Sequence, residues 1–128
     1  MAYINIPTSK DIFIEVNGQK VAVIESYKAQ SHRETKEIEE FGNAKPVATI
    51  SGRTKHSLLL RRIYFIGEQN KKIDFFELEN FDIVIVKPNS RVHYTGCQWE
   101  NISESVDLKM PCIEEISVSA SDRNEVDL

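Results

Sequence analysis

Residues 33–56 read RETKEIEEFGNAKPVATISGRTKH, and the fold turns on whether this stretch is a helix or an extended excursion. Its first eight residues hold four glutamates, and its end holds Arg53, Lys55 and His56. Ile38 and Phe41 are the only large apolar residues from 30 to 45, so the segment cannot be buried alone. Glu and Lys favour helices, which makes a helix over 34–41 the competing reading. The extended reading is preferred because PVATISG (46–52), with Val47 and Thr49 alternating against Ala48 and Ile50, looks like a returning partner strand.

The flanks support that choice. In DIFIEVNGQKVAVIESYKA (11–29), Ile12, Ile14 and Val16 alternate, and Val21 and Val23 alternate on the return. Asn17-Gly18 between them is a pair that tolerates positive φ, so the segment predicts a β-hairpin with a type I′ turn. On the far side, HSLLLRRIYFIG (56–67) puts Leu58, Leu60, Arg62, Tyr64 and Ile66 on one strand face, and Leu59, Arg61, Ile63 and Phe65 on the other. Both faces are partly apolar, which predicts cover on both sides, by core on one and by a helix or a partner on the other.

Further along, EQNKK (68–72) is a polar loop. KIDFFELENF (72–81) spaces Ile73, Phe75 and Phe76 as a short helix. FDIVIV is a strand, KPNS a turn, RVHYTGCQWENISES one or two strands, and PCIEEISVSAS (111–121) an alternating strand. Residues 1–10 read as an arm and 122–128 as a frayed polar tail. Strands arrive as hairpins and do not alternate with helices. The expectation is a β-dominated (α+β) single domain: an antiparallel β-sandwich or partly closed barrel with one short flanking helix and a long charged loop.

The 128 residues suit one core, and a hydrophobic share of 41% with a charged share of 28% is ordinary for a globular protein. No apolar run approaches the roughly 20 residues that span a bilayer, and the N-terminus lacks the pattern of a signal peptide. The expectation is a cytoplasmic chain with no membrane partner. A net charge of −4 disfavours a dedicated nucleic-acid binder. With no secretory signal, Cys97 and Cys112 read as reduced thiols.

Motifs for chemistry are sparse. Isolated glycines give no phosphate-cradling loop, and no cysteine or histidine spacing suggests zinc. His32, His56 and His93 are far apart in sequence. His93 and Cys97, four residues apart, would lie ~13 Å apart on a regular strand, beyond the reach of a nucleophile and its base unless Gly96 bends the chain. The glutamates lack a calcium-loop pattern. Tyr94 and Trp99 could line the mouth of a ligand-binding barrel, although a single Trp near a strand end more often packs in a core or interface. The reading is therefore no enzyme, no cofactor and no metal site.

The acidic limb and the basic limb, Arg53, Lys55, Arg61 and Arg62, carry the functional reading. Exposed ion pairs within one molecule contribute only ~0–1 kcal/mol each. Across a repeating interface the same charges select partner and register. The ordered series of hairpin, charged stretch, EEFGNAKPVATISGRTKHSLLLRRIY, IDFFELENF and DIVIVKPNSRVHYTGCQWENISESVDLKMPCIEEISVSAS resembles the phage tail tube family, which includes tubes of contractile phage, prophage-like elements and phage-tail-like bacteriocins. The resemblance covers roughly 11–121 and lies in element order. It implies a β-sandwich or barrel with one flanking helix, and six-membered rings whose sheets join around a channel. It also implies a mid-chain loop reaching the next ring, which falls at 33–55 here.

The implied partners are copies of the chain, then sheath, baseplate or tape-measure proteins, with DNA only as passing cargo. The implied location is the cytoplasm during assembly and a virion or tail-like particle when mature. The chain is short, so a baseplate-proximal initiator, adaptor or completion component is as compatible as the main tube subunit. The expected inter-subunit or inter-ring contacts are Arg33, Glu34, Glu37, Glu39, Glu40, Phe41, Arg53, Lys55, Arg61 and Arg62. The alternative is a monomeric β-barrel that binds a peptide or small ligand.

Overall fold

The computed structural model describes residues 12–21, 24–64 and 73–127. The expected N-terminal arm, Val23, Phe65, Ile66 and the polar loop at 68–72 lie outside these residues. The first hairpin forms as read: β1 (Phe13–Val16) returns as β2 (Gln19–Lys20). Asn17 and Gly18 take φ of 48° and 83°. This left-handed pair matches the twist of the flanking strands. Asn17 also accepts a hydrogen bond from the Asp82 backbone N–H through its side chain, at 2.9 Å, tying the turn to β5 (Phe81–Val86).

The excursion is extended. β3 (Ile24–Ile38) and β4 (Ala48–Tyr64) pair antiparallel from Ile24↔Arg62 out to Ile38↔Ala48. The two strands read separately at 46–52 and 56–67 are one strand, because Gly52 is absorbed as a bulge: Arg33 pairs with Thr54, but Thr35 pairs with Ser51. A Cβ on Gly52 would stand 3.2 Å from both Cβ and O of Glu34, so a larger residue would push the strands apart by a few tenths of an ångström.

After β5, β6 (Ser90–Val106) runs as one strand, and β7 (Cys112–Ala120) returns along it. The chain order across the sheet is β2-β1-β5-β6-β7-β4-β3, so among the described residues the sheet does not close on itself. β6 belongs to two half-sheets. Its first part, to Cys97, pairs with β5, and its second part, from Gln98, pairs with β7. The corner is built by Gly96 at φ 63°. There one extra residue enters β6, since Phe81 faces Cys97 but Ile83 faces Tyr94.

The tail corrects the expectation of fraying. Residues Asp122–Asp127 form β8, which pairs with β6 from Thr95↔Asp122 to Ser90↔Asp127. β7 and β8 are one return strand broken at Ser121, directly opposite the break at Gly96. The Ser121 backbone N–H donates to Thr95 O at 3.0 Å, and Ser121 Oγ donates to Gly96 O at 3.3 Å. Its residues are polar because β8 is a solvent-facing edge, which is why composition alone suggested no element.

The helix expected at 72–81 is reduced, among the described residues, to one 3-10 turn, Phe75–Glu77. Asp74 caps it by accepting from the Phe76 N–H at 3.1 Å. Adjacent Phe75 and Phe76 cannot share one helical face; Phe75 is buried and Phe76 points out, stacking on Trp99 at 5.4 Å between ring centroids. The two half-sheets enclose a core of Ile14, Val16, Phe81, Ile83, Ile85 and Tyr94 against Leu58, Leu60, Ile116 and Val118. Each such side chain contributes roughly 1.5–3 kcal/mol on burial.

Gly96→Ala is expected to destabilise by ~1–3 kcal/mol, since its Cβ would meet Ser121 Oγ at 2.7 Å and Cβ at 2.9 Å on a left-handed backbone. Gly18→Ala, with open space around it, should cost only about 1 kcal/mol. Thermal unfolding of the two variants checks the order.

Candidate functional site

The half-sheet of β3, β4, β7 and β6 ends unevenly. β7 follows β4 only from Tyr64 to His56, where its last partner is Ala120. There β6 and β7 turn the corner into the other half-sheet, while β3 and β4 continue pairing with each other. From Ala48 to Lys55, β4 pairs among the described residues only with β3, and residues 28–55 are all exposed. At about 3.3 Å per residue, Ala48–Lys55 carries the ribbon roughly 25 Å past the sheet.

Its tip is ordered locally. The Val47 N–H donates to Ile38 O at 2.9 Å, the Asn43 N–H to Glu40 O at 3.3 Å, and the Lys45 N–H to Asn43 Oδ1 at 3.2 Å. Gly42, at φ 80°, turns the chain. Phe41 stands free at 105% relative exposure, with Ile38, Val47 and Ile50 also exposed nearby.

The structure separates the expected contact residues into two groups. Arg33, Glu34, Glu37, Glu39, Glu40, Phe41, Arg53 and Lys55 sit on the arm. Glu34, Glu37, Glu39 and Glu40 have no ion-pair partner among the described residues, and neither does Arg53. The acidic and basic limbs therefore do not neutralise each other across the ribbon. Lys55 instead leans to Glu100 on β6, at 3.7 Å.

Arg61 and Arg62 belong to the body. Arg61 lies between Glu25 at 2.9 Å and Glu115 at 3.5 Å. Arg62 is 3% exposed, which corrects its place among the contact residues. Its Nε and Nη2 reach Glu114 Oε1 at 2.8 and 2.7 Å, and its guanidinium lies 4.8 Å from the Phe75 ring centroid. Arg62 shares the core face with Leu58 and Leu60, so its charge had to be met inside. Glu114, opposite it on β7, supplies the partner. Glu104 faces Glu114 from β6, and the Tyr64 hydroxyl donates to Glu104. Burial and that carboxylate push the Tyr64 hydroxyl well above its ordinary range.

His93 and Cys97 are separated at the corner. The extra residue at Gly96 turns Cys97 into the core while His93 stays on the outer side, 3.6 Å from Asp82 Oδ2. Cys97 Sγ lies 3.5 Å from Tyr94 O, and burial pushes its thiol up to about 11. Cys112 is also buried, and both cysteines are free thiols. Tyr94 is a core residue, edge-on to His56 at 6.3 Å, and does not line a mouth. Among the described residues no three His, Cys, Asp or Glu side chains converge as a metal site.

Sequence reasoning found the arm, but not the paired breaks at Gly96 and Ser121 that expose it. The signal available was a lone glycine inside an alternating strand, which marks a bulge.

No protein-family model matches the chain, and no curated protein matches it in sequence. Solved structures do match in fold. The sheath/tube terminator of an extracellular contractile injection system, PVC, in its extended state aligns with a TM-score of 0.73 at 15% identity, over 98% of this chain and 99% of that one. The tube-terminating cap of the anti-feeding prophage aligns with a TM-score of 0.75 at 12% identity, over 100% and 95%. A chain from the tail of an empty gene transfer agent particle, refined with C6 symmetry, aligns with a TM-score of 0.66 at 14% identity, over 96% and 99%. The chain thus has the fold found in components of contractile and phage-like tails.

Two outcomes follow from the buried groups. Glu114→Ala leaves Arg62 charged and without this carboxylate in the core; unfolding should show a loss of about 3–5 kcal/mol, a fall in Tm of about 10 °C or more. The Cys97 thiol should resist alkylation at pH 8 in the native protein and react once denatured. Its folded pKa is raised from 9.0 to about 11, so the stability tied to the protonated thiol is complete below pH 9 and declines as pH rises through 11. Denaturant titrations across that window check the direction, which Tyr27 and Tyr64 share.

Proposed function

We propose that this chain is a self-assembling structural subunit of a phage-like tail, stacking as hexameric rings to form the inner tube or its baseplate-proximal initiator. The observation that carries this is the projecting arm: an exposed two-stranded ribbon that pairs with no further strand among the described residues, bearing carboxylates that find no ion-pair partner among them. In a monomer such a ribbon orders backbone without burying apolar surface, an entropic cost with little return. Against another copy it gains both a surface and counter-charges.

The open rims support the same reading. Among the described residues, β3 along Ile24–Ile38 and the later part of β6 present unpaired backbone at opposite sides of one half-sheet. Pairing rim to rim between copies satisfies these groups and builds a continuous wall. Such a head-to-tail contact closes into a ring when its rotation closes. The C6 tail among the similar structures favours six copies. The tail terminator and cap among them also favour a related role at the end of a tube, with sheath or baseplate proteins as neighbours. Nucleic acid is then a cargo of the conduit, and the net charge of −4 suits passage without adhesion. We place the chain in the cytoplasm during assembly, as a single domain without enzymatic activity. No described helix is long and apolar enough to cross a membrane.

Reversal of Glu37, Glu39 and Glu40 to lysine should abolish rings and tubes in negative-stain electron microscopy while circular dichroism stays unchanged. A triple variant that assembles like the wild type at low salt removes the arm's carboxylates from the interface.

A further inference from the structure

A second apolar tip lies at the opposite end of the half-sheet that bears the arm. β6 and β7 are joined by the turn Asp107–Pro111, next to the Val106↔Cys112 pair. Tyr64, the last described residue of β4, also faces Cys112. The turn therefore stands at the body end of β4, and the arm tip at the other end. Met110 N–H donates to Asp107 O at 3.0 Å, and Lys109 takes a φ of 63°. This geometry holds Leu108 at 90% exposure and Met110 at 60%, with Val106 also exposed beneath them. Lys109 lies between the two apolar side chains in sequence, and neither it nor Asp107 has an ion-pair partner among the described residues.

The two tips are chemically complementary. One presents Phe41 preceded by Glu39 and Glu40; the other presents Lys109 flanked by Leu108 and Met110. We propose that the Leu108–Lys109–Met110 turn receives the arm tip of a second copy of this chain, with Phe41 packed between Leu108 and Met110, and Glu39 and Glu40 facing Lys109. Each copy then gives one tip and receives one, and a single repeated operation covers both exposed apolar groups. An apolar anchor ringed by charge gives both affinity and register. This inference rests on the self-assembly proposed above and adds the surface that the arm engages.

The test mixes two full-length single variants, Phe41→Cys and Leu108→Cys, under mild oxidation, followed by non-reducing electrophoresis. The mixture should give a disulfide-linked two-chain species, much weaker from either variant alone. No such species, or equal yield from the single variants, overturns the contact. Independently, Lys109→Glu should raise the concentration needed for assembly by about tenfold, and a partner carrying Glu39→Lys with Glu40→Lys should restore it. Tubes that form at the wild-type concentration from Leu108→Asp/Met110→Asp protein overturn this contact and leave the tail reading standing. Cross-linking that stops at a closed two-copy particle supports the contact and overturns the tube. A chain monomeric at every concentration overturns both.

Discussion

The shape of this protein depends on one corner. At Gly96 and Ser121 the long hairpin formed by β6 with β7 and β8 breaks on both strands at the same level, so that the ribbon leaves one half-sheet and enters the other. The break requires a left-handed backbone on one strand and a small hydroxyl on the other, close enough that a methyl group between them would collide. Two consequences follow together. The half-sheets face each other and enclose Ile83, Tyr94, Leu60 and Val118, and the β3–β4 pair, which has no equivalent break, is left without a further strand partner beyond His56 among the described residues. Core and arm are products of the same bend.

Much of this was legible in the residues, for specific physical reasons. The Asn17-Gly18 turn was readable because few residue pairs accept positive φ twice in succession. β5 and β7 were readable because burial imposes a period of two. The extended state of 33–56 overrode the helix propensity of its Glu and Lys residues because its returning partner, 46–52, was visible in the same window. What stayed hidden needed knowledge of neighbours. β8 carries no apolar pattern, since all its residues stay exposed along β6. Phe75 and Phe76 mimic helical spacing, although one fills the core and the other stacks on Trp99. Arg62 looked like its neighbour Arg61, and only the pairing of β4 with β7 shows that one faces Glu114 inside and the other faces solvent.

The buried Arg62–Glu114 pair illustrates how charge is used differently in the two parts of the chain. In the core, Arg62 and Glu114 meet within hydrogen-bonding distance, and the cost of removing them from water is offset only while both partners remain. On the arm, carboxylates stay hydrated and cost nothing to the monomer. They also discourage indiscriminate pairing of a long exposed ribbon, because like charges repel when two copies approach in the wrong register.

β4 is unbroken from Ala48 at the arm to Tyr64 in the body. A lengthwise pull on the tip would load its ladder with β7 in shear, so that many backbone hydrogen bonds bear the tension at once and none opens first. In the proposed assembly the ribbon would then act as a tether as well as a surface. Force applied at its end is delivered to Leu58 and Leu60, and the arm cannot be drawn away without extracting the centre of the molecule.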